Sequence, residues 1–255
     1  MKLHYKVSGN GEPLIILHGL FGMLDNWQTI ANALEKDFAV YLIDQRNHGR
    51  SPHDPVHTYA AMANDLYAFF IQTGISSAHI LGHSMGGKTA MQFALMHPNE
   101  VKKLIVVDIG MKRYAGGHNA IFDALLSVDL SQIHYRSDAE KILLERIPDF
   151  GVRQFLLKSL QRNPDGTYQW KFNLHGLKEN YEPNILAEIS AMHVFNGEVL
   201  FIKGENSDYL NPSDFTDIQL LFPNAKMQEI PGTGHWVHAD QPEKLIACIK
   251  EFLKE

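Results

Sequence analysis

Five short apolar runs constrain the fold more than any other feature of the chain. They are PLIILHG (13–19), FAVYLID (38–44), SAHILGH (77–83), KLIVVDI (103–109) and EVLFIKG (198–204). Each is rich in Ile, Leu and Val and stops at Gly, Asp, His or an adjacent polar residue, as buried strands do. Between and beyond them, residues 26–35, 59–73, 86–96, 213–222 and 241–253 carry apolar side chains at helical spacing. Alternation of this kind predicts βαβ units, hence a mostly parallel sheet with helices on both faces. KLHYKVS, near the start, alternates apolar and polar residues and predicts an antiparallel edge strand.

The rhythm breaks once. Residues 111–192 contain no buried-strand pattern. HNAIFDALLSVDL, SDAEKILLERI, VRQFLLKSL and NILAEISAM read as short helices, and TYQWKFNL as a hairpin or extended piece. This divides the chain into a core, 1–110 with 193–255, and an inserted helical unit, 111–192. An insertion between two sheet strands is expected to cover their carboxyl ends, where open α/β sheets place their sites. The alternative is a subdomain that only adds core.

Composition excludes several function classes. A net charge of −6 without a long basic run argues against nucleic acid as a partner. The 14 histidines are scattered, with no His-Glu-x-x-His motif, so no metal is expected. The single cysteine, Cys248, cannot form an internal disulfide and lies in an amphipathic pattern, which suits packing in a reducing compartment. No leader pattern is visible, and no apolar segment approaches the ~18 residues of a membrane span. The expectation is a cytoplasmic protein.

One strand ends in HILGHSMGGK (79–88). Gly82-x-Ser84-x-Gly86 is a G-x-S-x-G pattern between a strand and a helix. So sharp a turn needs small residues two places either side of the serine. It pushes the serine oxygen out at the top of the sheet, beside a helix N-terminus that favours a developing anion. The rival reading is a glycine-rich turn with a serine cap. A hydroxyl needs a base, and an oriented histidine supplies one. His235, in IPGTGHWVHADQPE after the last strand pattern, KMQEI, is the candidate. His238 reads as a structural hydrogen-bonding residue near a helix start. The N–H of Met85, the residue after the nucleophile, is one expected oxyanion donor. The second is expected from Leu20 in ILHGLFG (16–22), where Gly19 and Gly22 allow close approach. His18 reads as a buried residue that orders this loop. For the carboxylate two places compete. Asp208 and Glu205 follow VLFIKG, where Ser207 occupies the usual Gly-x-x-Asp position, and Asp108 ends the preceding strand.

LHGLFG, DQRNHGRS, GHSMGGK, LIVVDI and GTGHWVHADQPE together resemble, in order and spacing along nearly the whole chain, the serine hydrolases of the α/β-hydrolase fold. Most similar are the small lidded carboxylesterases, bacterial esterases and their mitochondrial relatives. The resemblance implies an α/β-hydrolase fold: a mostly parallel sheet, helices on both faces and a helical lid. It implies hydrolysis of carboxylic esters, and of acyl thioesters such as acyl-CoA, through an acyl-serine, with no cofactor. It also implies an acid at the end of the earlier strand, so Asp108 is preferred to Asp208.

Motif adjacency and position in the insertion nominate Phe21, Met85, Phe122, Leu126, Phe155 and Trp236 for the substrate pocket. His118 and Arg113 could meet a polar substrate group, but a solvated loop is the simpler expectation. Asp44, Arg46 and Asn47 are expected to hold backbone near the site. Two rivals remain: a carbon–carbon hydrolase or lyase using the same three residues, with Lys112, Arg113 or Arg153 as carboxylate binders, and a non-enzymatic ligand receptor.

Overall fold

The computed structural model describes residues 1–189 and 193–254. In chain order the elements are β1 (Tyr5–Ser8), β2 (Glu12–Leu17), α1 (Gln28–Leu34), β3 (Phe38–Ile43), α2 (Tyr59–Thr73), β4 (Ala78–His83), α3 (Met85–Met96) and β5 (Val101–Val107). Next come α4 (Asn119–Leu126), α5 (Arg136–Leu144), α6 (Phe150–Leu157), β6 (Leu160–Arg162), β7 (Tyr168–Trp170) and α7 (Leu174–Asn180). The chain closes with β8 (Glu198–Gly204), α8 (Phe215–Leu221), β9 (Ala225–Ile230), α9 (Val237–Asp240) and α10 (Pro242–Lys254).

Among the described residues, seven strands form one sheet in the order β1-β3-β2-β4-β5-β8-β9. β1 pairs antiparallel with β3, at the edge, and the other pairs are parallel. The apolar runs lack alternation because both faces of the sheet are buried. On β2, Leu14 and Ile16 face a core with Trp27, Ile30, Leu34, Leu245 and Ile249 from the α1 and α10 side. Ile15 and Leu17 face the opposite core, with Leu66, Phe70, Met91 and Phe93 from α2 and α3. α2 begins at Thr58, whose Oγ1 accepts the Ala61 N–H, and ends at Gly74 with φ +72°. Both ends follow ordinary capping chemistry.

Between β5 and β8 the chain leaves the sheet through α4 to α7, with β6 and β7 forming the small antiparallel hairpin expected around TYQWKFNL. The expected helix over 184–192 is not present in its described part. A π-helical turn, Tyr181–Ile185, takes that place instead, where Pro183 lacks the N–H of a regular ladder. Residues 190–192 of that expectation lie outside the described residues. α7 was not expected; it starts at Asn173, whose side chain accepts the Gly176 N–H. Among the described residues no helix is long and apolar enough to cross a membrane.

Candidate active site

Parallel strands end together, and the site forms where β2, β4, β5 and β8 finish. Between β4 and α3 the chain reverses at Ser84, whose φ of 52° and ψ of −120° are strained for a residue with a side chain. The glycines are required. A Cβ on Gly86 would stand 2.4 Å from the Leu17 carbonyl oxygen, and one on Gly82 would stand 2.2 Å from that of Gly86. The Ser84 side chain makes no capping bond to α3, which removes the serine-cap reading. Its Oγ lies 3.0 Å from His235 Nε2.

His235 Nδ1 lies 2.7 Å from Asp108 Oδ2. A carboxylate can only accept, so Nδ1 carries the proton and Nε2 presents its lone pair to the serine hydroxyl. Asp108 follows β5, is fully buried, and has a φ of 50°. Its Oδ1 accepts the Gly204 N–H at 2.9 Å, and Oδ2 also accepts the Ser207 hydroxyl in a short hydrogen bond. The structure therefore brings Asp108, and not Asp208, to His235. Asp208 is exposed, and Glu205 accepts the Gly232 N–H at 2.7 Å, supporting the loop that carries His235. Ser207, standing where an acid was sought, reaches the same carboxylate from the loop after β8.

Tyr209, unforeseen in the sequence, stacks on the His235 ring at 3.9 Å between centroids. His83 Nε2 donates to the His235 carbonyl at 2.8 Å. His238 lies in the pocket and stacks on Trp27 at 4.5 Å; burial pushes its imidazole down to about 3. Its Nδ1 has no hydrogen-bond partner among the described residues, and its ring packs against Trp27 and His83.

The loop carrying Leu20 is built from its histidines outward. Gly22 N–H closes a turn on Gly19 O at 3.0 Å, with Phe21 at φ 61°. His18 Nδ1 donates to Gly19 O, and its Nε2 accepts the Gln45 N–H at 3.0 Å. Phe21 N–H is accepted by His48 Nε2 at 3.3 Å. Asp44 accepts the N–H groups of Leu24 and Arg50, Arg46 pairs with Asp65 at 2.6 Å, and Asn47 bonds Asp54 through both its side-chain atoms. DQRNHGRS thus fixes the backbone around Leu20, in keeping with its expected role. Burial drives the His18 and His48 imidazoles toward the neutral form these bonds need.

Two pockets of about 510 and 390 Å³ open beside Ser84. Ser84, Leu20 and His118 line both. The larger has Phe21, Ile121, Val152, Phe155 and Trp236 in its wall; Phe155 and Trp236 meet at 5.4 Å. The smaller is lined by Met85, Lys88, Ile109 and four tyrosines, Tyr59, Tyr114, Tyr181 and Tyr209. Two expected lining residues lie elsewhere. Phe122 is wholly buried, packed between Phe21 and Tyr181 at 4.9 and 5.1 Å, because α4 turns that side toward the core. Leu126 faces a separate hollow with Trp170 and Leu174. His118 lies at the site and not in a solvated loop, whereas Arg113 is exposed and donates to Glu182 O at 2.8 Å.

Lys88 was also missed. Its side chain is buried one turn after Ser84 and donates to the carbonyls of Lys112 and Ala187 at 2.7 and 2.5 Å. Its ammonium stands 4.8 Å from the Tyr114 ring centre. Lys88 on α3 thereby ties down the two segments by which the chain leaves β5 and returns toward β8.

Comparison with known proteins agrees with this fold. A family model described as the alpha/beta hydrolase fold matches residues 12–242. A putative esterase/lipase of Haemophilus influenzae is 41% identical over 98% of this chain and 86% of its own length. The sn-1-specific diacylglycerol lipase ABHD11 of Danio rerio is 39% identical over 97% of this chain and 80% of its own length. The solved structure of a marine microorganism esterase is 46% identical, covers 98% of this chain and 99% of that one, and superposes with a TM-score of 0.96. With the family model spanning nearly the whole chain and close relatives matching it almost end to end, the chain belongs to the α/β-hydrolase family.

Proposed function

We propose that the protein is a serine carboxylesterase acting through an acyl-serine intermediate. The observation that carries this reading is the continuous relay from Ser84 Oγ through His235 to buried Asp108, at 3.0 and 2.7 Å. His235 takes the Ser84 proton as the oxygen attacks the ester carbonyl. The backbone N–H groups of Leu20 and Met85 receive the oxyanion; each such donor is worth roughly 2.7–4 kcal/mol in the transition state. His235 then protonates the leaving alcohol, and water activated by the same imidazole releases the acid. Ser207 and Gly204 hold the Asp108 carboxylate in place.

The helical insertion acts as a lid. Its Ile121, Val152, Phe155 and Leu156 stand over Ser84, so the two apolar pockets suit the acyl and alcohol parts of one ester. An acyl thioester such as acyl-CoA fits the same chemistry, because the thiol leaves by the same route. The buried free thiol of Cys248 suits a reducing, cytoplasmic setting. The three cations nominated as carboxylate binders for a carbon–carbon hydrolase or lyase are engaged elsewhere. Lys112 pairs with Asp214, Arg113 bonds Glu182, and Arg153 bonds the carbonyls of Ile147 and Pro148.

A panel of p-nitrophenyl esters and acyl-CoA thioesters of increasing length tests the reading. Turnover of esters by the native protein and its loss in Ser84→Ala are expected. Full turnover by Ser84→Ala would contradict it.

A further inference from the structure

His118 is unused by the mechanism above, yet with Ser84 and Leu20 it borders both pockets. Its protonation pattern follows from its neighbours. The Tyr181 phenol oxygen accepts two backbone N–H groups, from Gly117 at 3.1 Å and His118 at 3.0 Å. Both acceptor positions are filled, so the phenol proton points to the remaining contact, His118 Nδ1 at 2.8 Å. Nδ1 is therefore an acceptor, and in the neutral ring the proton sits on Nε2. Burial, with the charge of His235 adding to it, pushes this imidazole down to about 4, so it is neutral near pH 7. Nε2–H has no hydrogen-bond partner in the protein among the described residues.

Only the atoms joining the two halves of an ester can lie in both pockets at once. The carbonyl oxygen is assigned to the N–H groups of Leu20 and Met85. The bridging oxygen, where the alcohol half begins, is given neither of these two donors. We propose that His118 Nε2–H donates a hydrogen bond to this leaving-group oxygen and stabilises the negative charge that develops there as the carbon–oxygen bond breaks. His118 keeps its proton throughout; the proton that completes the alcohol comes from His235. Tyr181 is a positioning residue, fixing the tautomer that makes His118 a donor. The inference rests on the serine-esterase reading and assigns to the lid a part in the chemistry besides excluding water.

Charge on the leaving oxygen is large for an alkoxide and small for p-nitrophenolate, so the test compares two esters of one acid, ethyl and p-nitrophenyl butanoate. The quantity read is kcat/KM, which covers acylation alone. His118→Phe keeps a flat ring and removes the donor. Loss of a hydrogen bond to a charged oxygen predicts a fall of roughly 10- to 100-fold for the ethyl ester and a much smaller one for the p-nitrophenyl ester. His118→Gln, whose amide nitrogen reaches about as far as Nε2, should recover most of the ethyl-ester rate. Equal losses on the two esters in His118→Phe, or none on either, overturn the proposal. If His118→Phe melts early, His118→Gln decides at unchanged Tm, since an equal loss on both esters there also overturns it. Ser84→Ala, run beside them, separates the two levels. Turnover surviving in Ser84→Ala contradicts the esterase reading and this role with it, whereas a dead Ser84→Ala with equal losses in His118→Phe contradicts this role alone.

Discussion

At the scale of single residues, Asp108 shows what a strand end can hold. It sits at φ 50°, with its backbone N–H on Ile202 O at 2.7 Å, and both carboxylate oxygens are engaged by β8 and His235. Asp108→Asn should leave the fold intact but present the wrong tautomer of His235 to Ser84, lowering turnover on the order of 10⁴-fold. Asp208→Asn, on an exposed side chain, should leave ester hydrolysis within experimental error of native. The reverse pattern in steady-state assays would move the acid to Asp208. The proposed nucleophile and base could be picked out because their sequence signals are local: a glycine two places either side of Ser84, and a glycine loop ahead of His235. Tyr209 and Ser207 were not, because their contacts with His235 and Asp108 join segments far apart in the chain, and no local spacing records such a meeting. Phe122 was misread for a related reason. Apolar residues on a lid helix serve pocket and core alike, and only the packed rotation of α4 separates them.

At the scale of elements, the buried strands were read to within about two residues because burial on both faces leaves long apolar runs, while the π-helical turn at Tyr181–Ile185 replaced an expected helix. The turn between β4 and α3 is the most demanding junction. In Gly86→Ala the new methyl would meet the Leu17 and His18 carbonyl oxygens at 2.4 and 2.5 Å, backbone that cannot step aside. Overpacking of this kind costs about 1–3 kcal/mol, which denaturant titration would read as a lowered midpoint. A native midpoint would mean that the turn has more room than described.

Lys88 joins α3 to the insertion, and its titration follows from its burial. Burial brings its ammonium down from 10.5 to about 7. The unfolded chain keeps that proton to near pH 10, so above about pH 7 the unfolded state binds the extra proton. The contribution of Lys88 to stability therefore rises with pH across this window and is smallest below it. In urea titrations at pH 7 and pH 9.5, the stability of the native protein relative to Lys88→Met should increase at the higher pH. An unchanged difference would show that Lys88 titrates as an ordinary lysine.

At the scale of the whole molecule, a sheet whose strands end together supplies Ser84, Asp108 and the Leu20 loop, and the inserted helices close over them with apolar side chains. Strand–helix alternation made the sheet legible, but which residues between β5 and β8 face the site depends on packing that periodicity does not encode. The proposed chemistry requires one covalent event, formation of an acyl ester on Ser84. The direct measurement is mass spectrometry of the acid-quenched protein during turnover of a p-nitrophenyl ester, followed by peptide mapping. The account predicts one added acyl group on the peptide containing Ser84, and none in Ser84→Ala. An acyl group on another residue, or undiminished hydrolysis by Ser84→Ala, would contradict it.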